Sequence, residues 1–207
     1  EMLRQMELYK LLVENGSDEE HRERIKTKYH DDPKVFVIIS ETNTGYAGGI
    51  NLGLQRALEG GHQYYLLLND DTLVEQNDFI ERLLEPFYSF EKVGMVSPMT
   101  DYASHTHQDI KHWGGKPHGK IMETHDLIYV CVMVSDKVVQ QIGLLDTRYF
   151  IGGWEDNDYS LQIKLAGYRL LVTGKAFIHH YGSVANRKLR EKNFDYWENL
   201  KKNEVLF

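Results

Sequence analysis

Short, mainly apolar runs separated by amphipathic stretches set the pattern of this chain. The runs at 8–13, 35–39 and 64–68 are rich in β-branched, Leu or aromatic residues and end in turn residues, which predicts three buried strands. The first stops at Glu14-Asn15-Gly16, a turn signal. Ser17 with Glu20 has the spacing of a capping box, so a helix is predicted from about Asp18 to Tyr29, broken by Asp31-Asp32-Pro33. Residues 42–49 read as a Gly-rich turn, followed by a helix through Asn51, Leu54, Ala57 and Leu58 that stops at Gly60-Gly61. Phe79, Ile80, Leu83, Leu84 and Phe87 fall on one helical face behind a cap at Asn77 or Asp78. Residues 95–97 and 127–134 are predicted strands, and Ser135 is read as the cap of a short helix ending at Gly143. Residues 155–166 read as a helix, 170–173 and 176–179 as two short strands, and 187–203 as a final helix. The polar, His-rich stretch 99–126 is assigned to loop or irregular hairpin. This alternation predicts an α/β fold with a largely parallel sheet.

Composition narrows the function classes. The 207 residues carry 24 basic and 31 acidic side chains, a formal charge of −7, which disfavours nucleic acid as a partner. Hydrophobic residues make up 42%, enough for one domain's core and too many for wholesale disorder. No apolar run is long enough to span a bilayer, and no charged-then-apolar leader is visible, so a cytoplasmic location is expected. The single cysteine, Cys131, excludes an intrachain disulfide.

Four constellations carry candidate chemistry. In LLLNDDT, residues 66–72, an apolar strand delivers Asp70 and Asp71 to its C-terminal end, where α/β sheets place their ligand crevices. Such carboxylates suit Mg²⁺ or Mn²⁺ shared with substrate phosphates, or else simply start a turn and cap a helix. NTGYAGGINLG, residues 43–53, opens a helix on three glycines whose N–H groups could face an anion, or it permits close helix–strand packing. In GGWEDNDYSLQIKLAGY, residues 152–168, Glu155, Asp156 and Asp158 crowd a helix start. They either complement the helix dipole or supply a general base. Trp154 before them suits a sugar face or a core position. FIHHYGS, residues 177–183, offers His179 and His180 as imidazole ligands or as structural residues.

Taken in order, ENGSDEE, NTGYAGGINLG, LLLNDDT and GGWEDNDYSLQIKLAGY leading into IHHYGS resemble the family 2 glycosyltransferases of the GT-A fold, especially the bacterial rhamnosyltransferase-like branch. The segment YVCVMVSDKVVQQIGLLDTRYF resembles the stretch that precedes the family's acidic motif. The resemblance implies a single GT-A domain over residues 1–207: a Rossmann-like, mostly parallel central sheet flanked by helices, lacking the usual first strand and helix. It implies inverting, divalent-metal-dependent transfer of a sugar from a nucleotide-sugar donor to a hydroxyl of a glycan or lipid-linked acceptor, in polysaccharide or cell-surface glycan synthesis. Asn69-Asp70-Asp71 matches the DXD position, with Asp71 on Mn²⁺ or Mg²⁺ and with Asn69 and Asp70 near the ribose or the metal's waters. Glu14 and Asn15 stand where the family contacts the base, Gly49 and Asn51 would line the nucleotide pocket, and Asp156 matches the catalytic base. Trp154 and Glu155 would face the acceptor, and His179 fits the metal-linked histidine, with His180 as its substitute.

Two alternatives remain at this level. A nucleotidyltransferase would need a basic Gly-rich loop for a triphosphate, and NTGYAGGINLG has no Lys or Arg. A non-catalytic sugar-binding derivative of the fold is the other. His105, His107, His112, His118 and His125 lack the paired spacing of a zinc site and read instead as acceptor-side residues. The basic stretch 187–202, with Phe194, Tyr196 and Trp197 interleaved, could rest peripherally on the inner face of an anionic membrane or pack on the domain.

Overall fold

The computed structural model describes residues 8–104, 107–182 and 195–207. Strand β1 (Lys10–Asn15) pairs in parallel with β2 (Val35–Ser40), and the two form a separate two-stranded sheet. The predicted first strand is therefore displaced: Glu14 and Asn15 pair with Ile39 and Ser40 as its last rungs, and the turn falls on Gly16. At Gly16 φ is +79°, and a Cβ would lie 2.2 Å from the Asn43 nitrogen, so only glycine fits. Helix α1 (Glu19–Tyr29) is capped by Asp18, whose carboxylate accepts the His21 N–H at 2.8 Å. Ser17, the expected cap, instead donates its N–H to Glu14 Oε1 at 2.6 Å, because the longer strand brings that carboxylate beneath the turn. Helix α2 (Gly45–Leu58) begins inside the stretch read as a turn.

The second sheet has β3 (Tyr64–Leu68), β7 (Cys131–Ser135), β5 (Val93–Thr100), β8 (Arg169–His180) and β4 (Thr72–Leu73) in that order, with β6 (Ile121–Thr124) also on β8. Only β5–β8 is parallel; β3–β7, β5–β7, β6–β8 and β4–β8 are antiparallel. The sheet is thus mixed, not mostly parallel. Strand β7 inserts antiparallel between β3 and β5, which run the same way. It arrives through the long polar segment after β5 rather than through a helical crossover, which is the connection that makes neighbours parallel. That polar segment, expected to be loop or irregular hairpin, contains β6 and a 3₁₀ turn, Ile110–Trp113.

The two short strands expected at 170–173 and 176–179 are one strand. The β5 pairing jumps from Thr173 to Phe177, so residues 174–176 bulge and give the sequence its broken look. Strands β4 and β6 lie along the same edge of β8, and between them Gln76 takes the place of a strand. Its amide oxygen accepts the Phe177 N–H at 2.8 Å and its NH₂ donates to the Lys175 carbonyl.

Pleating sorts the core onto two faces. Met95, Val132, Val134, Leu170 and Val172 join Ala47 and Leu54 of α2 and Tyr159 and Ile163 of α5 (Glu155–Leu165). Val96, Met133, Leu171 and Ile178 point the other way, onto Phe79, Leu83 and Leu84 of α3 (Phe79–Ser89). Asp78 stands at the cap position of α3 but pairs with Arg82 Nε at 2.8 Å. Ser135 precedes α4 (Asp136–Ile142) without a capping bond among the described residues. Of the predicted 187–203 helix, residues 187–194 lie outside the described residues, and α6 is Tyr196–Glu204. No helix among the described residues is long and apolar enough to cross a membrane.

Candidate active site

The strand β3 ends at Leu68, and a tight turn follows. The Asn69 N–H donates to the Val130 carbonyl at 3.0 Å, and Thr72 Oγ1 donates to the Asn69 carbonyl at 2.7 Å. This leaves Asp70 exposed and turns Asp71 inward. Because Thr72 pairs with His180 and the Tyr181 N–H donates to the Asp71 carbonyl, the end of β8 runs directly beside Asp71. Residues 179 and 180 point to opposite faces of the strand, and it is His180 whose Nε2 lies 3.2 Å from Asp71 Oδ1. The side chain of His179, read from the sequence as the metal-side histidine, turns away and bonds Asp101 through Nδ1.

Asp101 organises both histidines. One oxygen holds His179, and the other accepts the His180 N–H at 2.9 Å. These bonds hold the Asp101 carboxyl below its ordinary range, against the opposing effect of burial, which is the largest single influence on it. His180 Nδ1 is 2.7 Å from the Tyr102 carbonyl, which only accepts, so Nδ1 carries the hydrogen. In the neutral ring Nε2 then presents a lone pair toward a carboxylate oxygen. Two electron donors held face to face call for a shared cation, either a proton or a metal. One carboxylate oxygen and one imidazole nitrogen form a donor set that suits Mn²⁺, with Mg²⁺ less favoured by the nitrogen. Among the described residues no three His, Cys, Asp or Glu side chains form a closed metal cluster, so the remaining positions would fall to phosphate oxygens and water.

The acid pair begins α5. The chain reaches it through Gly153 at φ +96° and Trp154 at φ +78°, left-handed conformations that turn the helix start inward. Glu155 is 6% exposed, and its Oε2 has no hydrogen-bond partner among the described residues. Burial, then the neighbouring Asp156 charge, raises its carboxyl to about 8. Asp156 is also raised, to about 6, chiefly by burial. The N–H of Asn157, at 2.9 Å, and that of Tyr129 work in the opposite direction. Tyr46, the second residue of α2, links the two halves of the site. Its hydroxyl donates to the Tyr129 carbonyl at 2.5 Å, and its ionisation is pushed up by burial and then by the charges of Glu155, Asp156 and Asp71. Tyr46 on the Tyr129 carbonyl and Asn69 on the Val130 carbonyl bring the α2 start and the Asn69-Asp70-Asp71 turn onto adjacent residues of one loop, and a Cβ on Gly152 would meet both Tyr46 Cβ at 3.4 Å and Glu155 Oε1 at 3.6 Å. The sequence reading missed Tyr46, although an aromatic inside NTGYAGG was a visible irregularity.

The other predicted residues have mixed placements. Asn15 ties β1 to α2: its Oδ1 accepts from the Thr44 N–H and hydroxyl at 3.0 and 2.8 Å, and its Nδ2 donates to the Gly45 carbonyl. A Cβ on Gly49 would stand 3.0 Å from that Nδ2, so Gly49 serves this close approach. Glu14 is buried beneath its own turn, on Ser17 and near Arg22. The first N–H groups around the α2 start do not face open space. Those of Thr44, Gly45 and Tyr46 go to Asn15, Asn43 and the Ile151 carbonyl, which corrects the anion-cradle reading. Asn51 spends both polar ends on the Leu145 backbone, at 2.8 and 3.0 Å, so its side chain pins a loop rather than facing a ligand. Trp154 packs its ring on Phe207, with centroids 5.2 Å apart.

Residues 10–192 match the family model described as Glycosyl transferase family 2. The chain belongs to glycosyl transferase family 2. This family 2 chain is 29% identical over 147 residues to uncharacterized proteins of Mycobacterium bovis and Mycobacterium tuberculosis. The alignment covers 68% of this chain and 55% of theirs, so it spans about half the length of those relatives. In fold it is similar to GalNAc-T7, solved with UDP, GalNAc and Mn²⁺, at a TM-score of 0.66 and 17% identity over 82% of this chain and 37% of that one. It is also similar to the mannosyltransferase PcManGT of Pyrobaculum calidifontis, solved with GDP-Man and Mn²⁺, at a TM-score of 0.61 and 14% identity over 88% and 51%. These likenesses establish a GT-A-like α/β fold.

Proposed function

We propose that this chain transfers a sugar from a nucleotide-sugar donor to a hydroxyl of a glycan or lipid-linked acceptor, with inversion at the anomeric carbon. The observation that carries the reading is the Asp71–His180 pair just past β3, together with the Glu155-Asp156 start of α5, where Glu155 is buried and the preceding Gly152 approaches both Tyr46 and Glu155. Asp71 and His180 would hold Mn²⁺ or Mg²⁺. When bound, such a cation offsets the charge that builds on a departing nucleoside diphosphate.

Asp156 is the base in this reading. In this reading the more deeply buried Glu155, whose Oε2 has no partner among the described residues, keeps its proton at neutral pH, and Asp156, which accepts the Asn157 N–H at 2.9 Å, is the ionised member of the pair. The acceptor oxygen attacks the anomeric carbon, its proton passes to Asp156, and the bond to the diphosphate breaks on the opposite face. Glu155 stays neutral beside Asp156, so only one negative charge has to be sustained there.

The chain's residue patterns support a place nearest the bacterial rhamnosyltransferase-like branch, and the donor is sought across a panel of nucleotide sugars. Among the described residues no strand bridges β1 and β3, both of which lie against α2, and this supports the reading of a GT-A sheet without its usual first strand. The exposed Trp197, Lys201 and Lys202 of α6 support a peripheral contact of this helix with an anionic membrane surface.

The test is a panel of UDP-, GDP- and dTDP-sugars, assayed for nucleoside diphosphate release with Mn²⁺, beside Asp156→Asn. We expect release by the wild type that falls below about pH 6 as Asp156 protonates. In Asp156→Asn we expect a drop of at least about 100-fold (about 2.7 kcal/mol at about 1.36 per decade) with donor affinity retained. Unchanged turnover in Asp156→Asn would remove the base assignment.

A further inference from the structure

The carbonyls of Gly152 and Gly153, immediately ahead of the acid pair, are held by a helix more than forty residues away in sequence. Asn203 Nδ2 donates to the Gly153 carbonyl at 3.0 Å and to the Gly152 carbonyl at 3.2 Å, and Asn199 Nδ2 donates to the Gly152 carbonyl at 3.2 Å. Residues 199 and 203 are one turn apart, so a single face of α6 makes all three bonds. Asn203 is 3% exposed, although it lies near the end of a short helix whose Trp197, Lys201 and Lys202 face solvent. The same face packs tightly against the loop. A Cβ on Gly153 would lie 2.2 Å from Leu200 Cδ2, and Phe207, just beyond the helix, lies against Trp154.

Two consecutive glycines give this loop more freedom than any other dipeptide would, and left alone they would let the start of α5 wander. The bonds from α6 remove that freedom at the point where the direction of Glu155 and Asp156 is set. We infer that Asn203, assisted by Asn199, is a positioning residue for the catalytic acid pair, so α6 acts as part of the active-site framework rather than as a peripheral appendage. The inference rests on the reading of Asp156 as base, and it concerns orientation: neither asparagine touches substrate in it.

The experiment uses the full chain carrying Asn203→Leu, which keeps volume and removes the donors, and the milder Asn199→Ala as the variant that leaves the core untouched. Hydrogen exchange followed by mass spectrometry reads the loop directly. Amides of residues 152–156 should exchange at least tenfold faster in Asn203→Leu and to a smaller degree in Asn199→Ala, with peptides over 66–73 and 177–182 unchanged. On the nucleotide-sugar panel, kcat should fall tenfold or more, KM should stay within twofold, and the acid limb of the kcat–pH profile should move, whereas a merely structural role would leave kcat per folded molecule and its pH profile alone. Unchanged exchange at 152–156, or faster exchange with kcat unaltered, overturns the inference. A wild-type chain that releases no diphosphate from any sugar overturns the transferase reading instead, and the exchange result still decides whether α6 holds the loop.

Discussion

Replacing Glu155 by glutamine tests the electrostatics of the site without any substrate. The native carboxyl ionises at about 8, against an ordinary 4.5, because it is desolvated and faces Asp156. Its folded-state value is raised, so the unfolded chain releases this proton first, and stability falls as pH climbs from about 4.5 to about 8. With about 1.4 kcal/mol per pH unit, the loss is about 1 kcal/mol by pH 5 and about 3 kcal/mol by pH 7 relative to the fully protonated state. An amide at this position cannot ionise, so the variant lacks this dependence. The stability of Glu155→Gln minus that of the wild type should therefore grow by about 2 kcal/mol between pH 5 and pH 7, whatever constant packing difference the amide introduces. In a chain of this size that is roughly 4–8 °C in Tm. Urea unfolding of both proteins at half-unit steps from about pH 5 to about pH 8.5 measures it. A difference that stays constant within about 0.5 kcal/mol over that range would show that Glu155 ionises normally, and with it the argument that Asp156 is the charged partner would fall.

Two further outcomes follow from the geometry. His180→Ala should weaken Mn²⁺ binding at least tenfold, read by electron paramagnetic resonance titration in the presence of nucleoside diphosphate, while His179→Ala should change it far less; equal effects would refute the facing of His180 toward Asp71. Asn51→Ala removes both partners of the buried Leu145 backbone and should destabilise by about 2–4 kcal/mol in chemical denaturation, with Mn²⁺ affinity preserved; a loss under about 1 kcal/mol would mean that water replaces it.

Much of this was legible in the residues. An apolar strand running into Asn69-Asp70-Asp71, a Gly-rich helix start and an acidic helix start after two glycines are local patterns, and each kept its place in the fold. Other features were not local. Whether β7 runs with or against β3 depends on how a polar connection wraps around the sheet, and no periodicity encodes that. The choice between His179 and His180 turned on strand parity, and parity is set by a bulge at 174–176 that absorbs residues without breaking the strand. Asn51 has the chemistry of a ligand contact, and only its burial beside Leu145 reveals that its bonding capacity is already used.

The sequence by itself determined which chemical groups are available and which element carries each, because hydrophobic period and turn chemistry act over a few residues. The tertiary structure alone decided which groups meet: Asp71 with His180, Tyr46 with the Tyr129 carbonyl, and Asn203 with the Gly152 and Gly153 carbonyls. The physical reason is that burial and long-range pairing fix direction and charge state together. A carboxylate's role depends on how much water it has lost and which partner it faces, and both are properties of the packed fold.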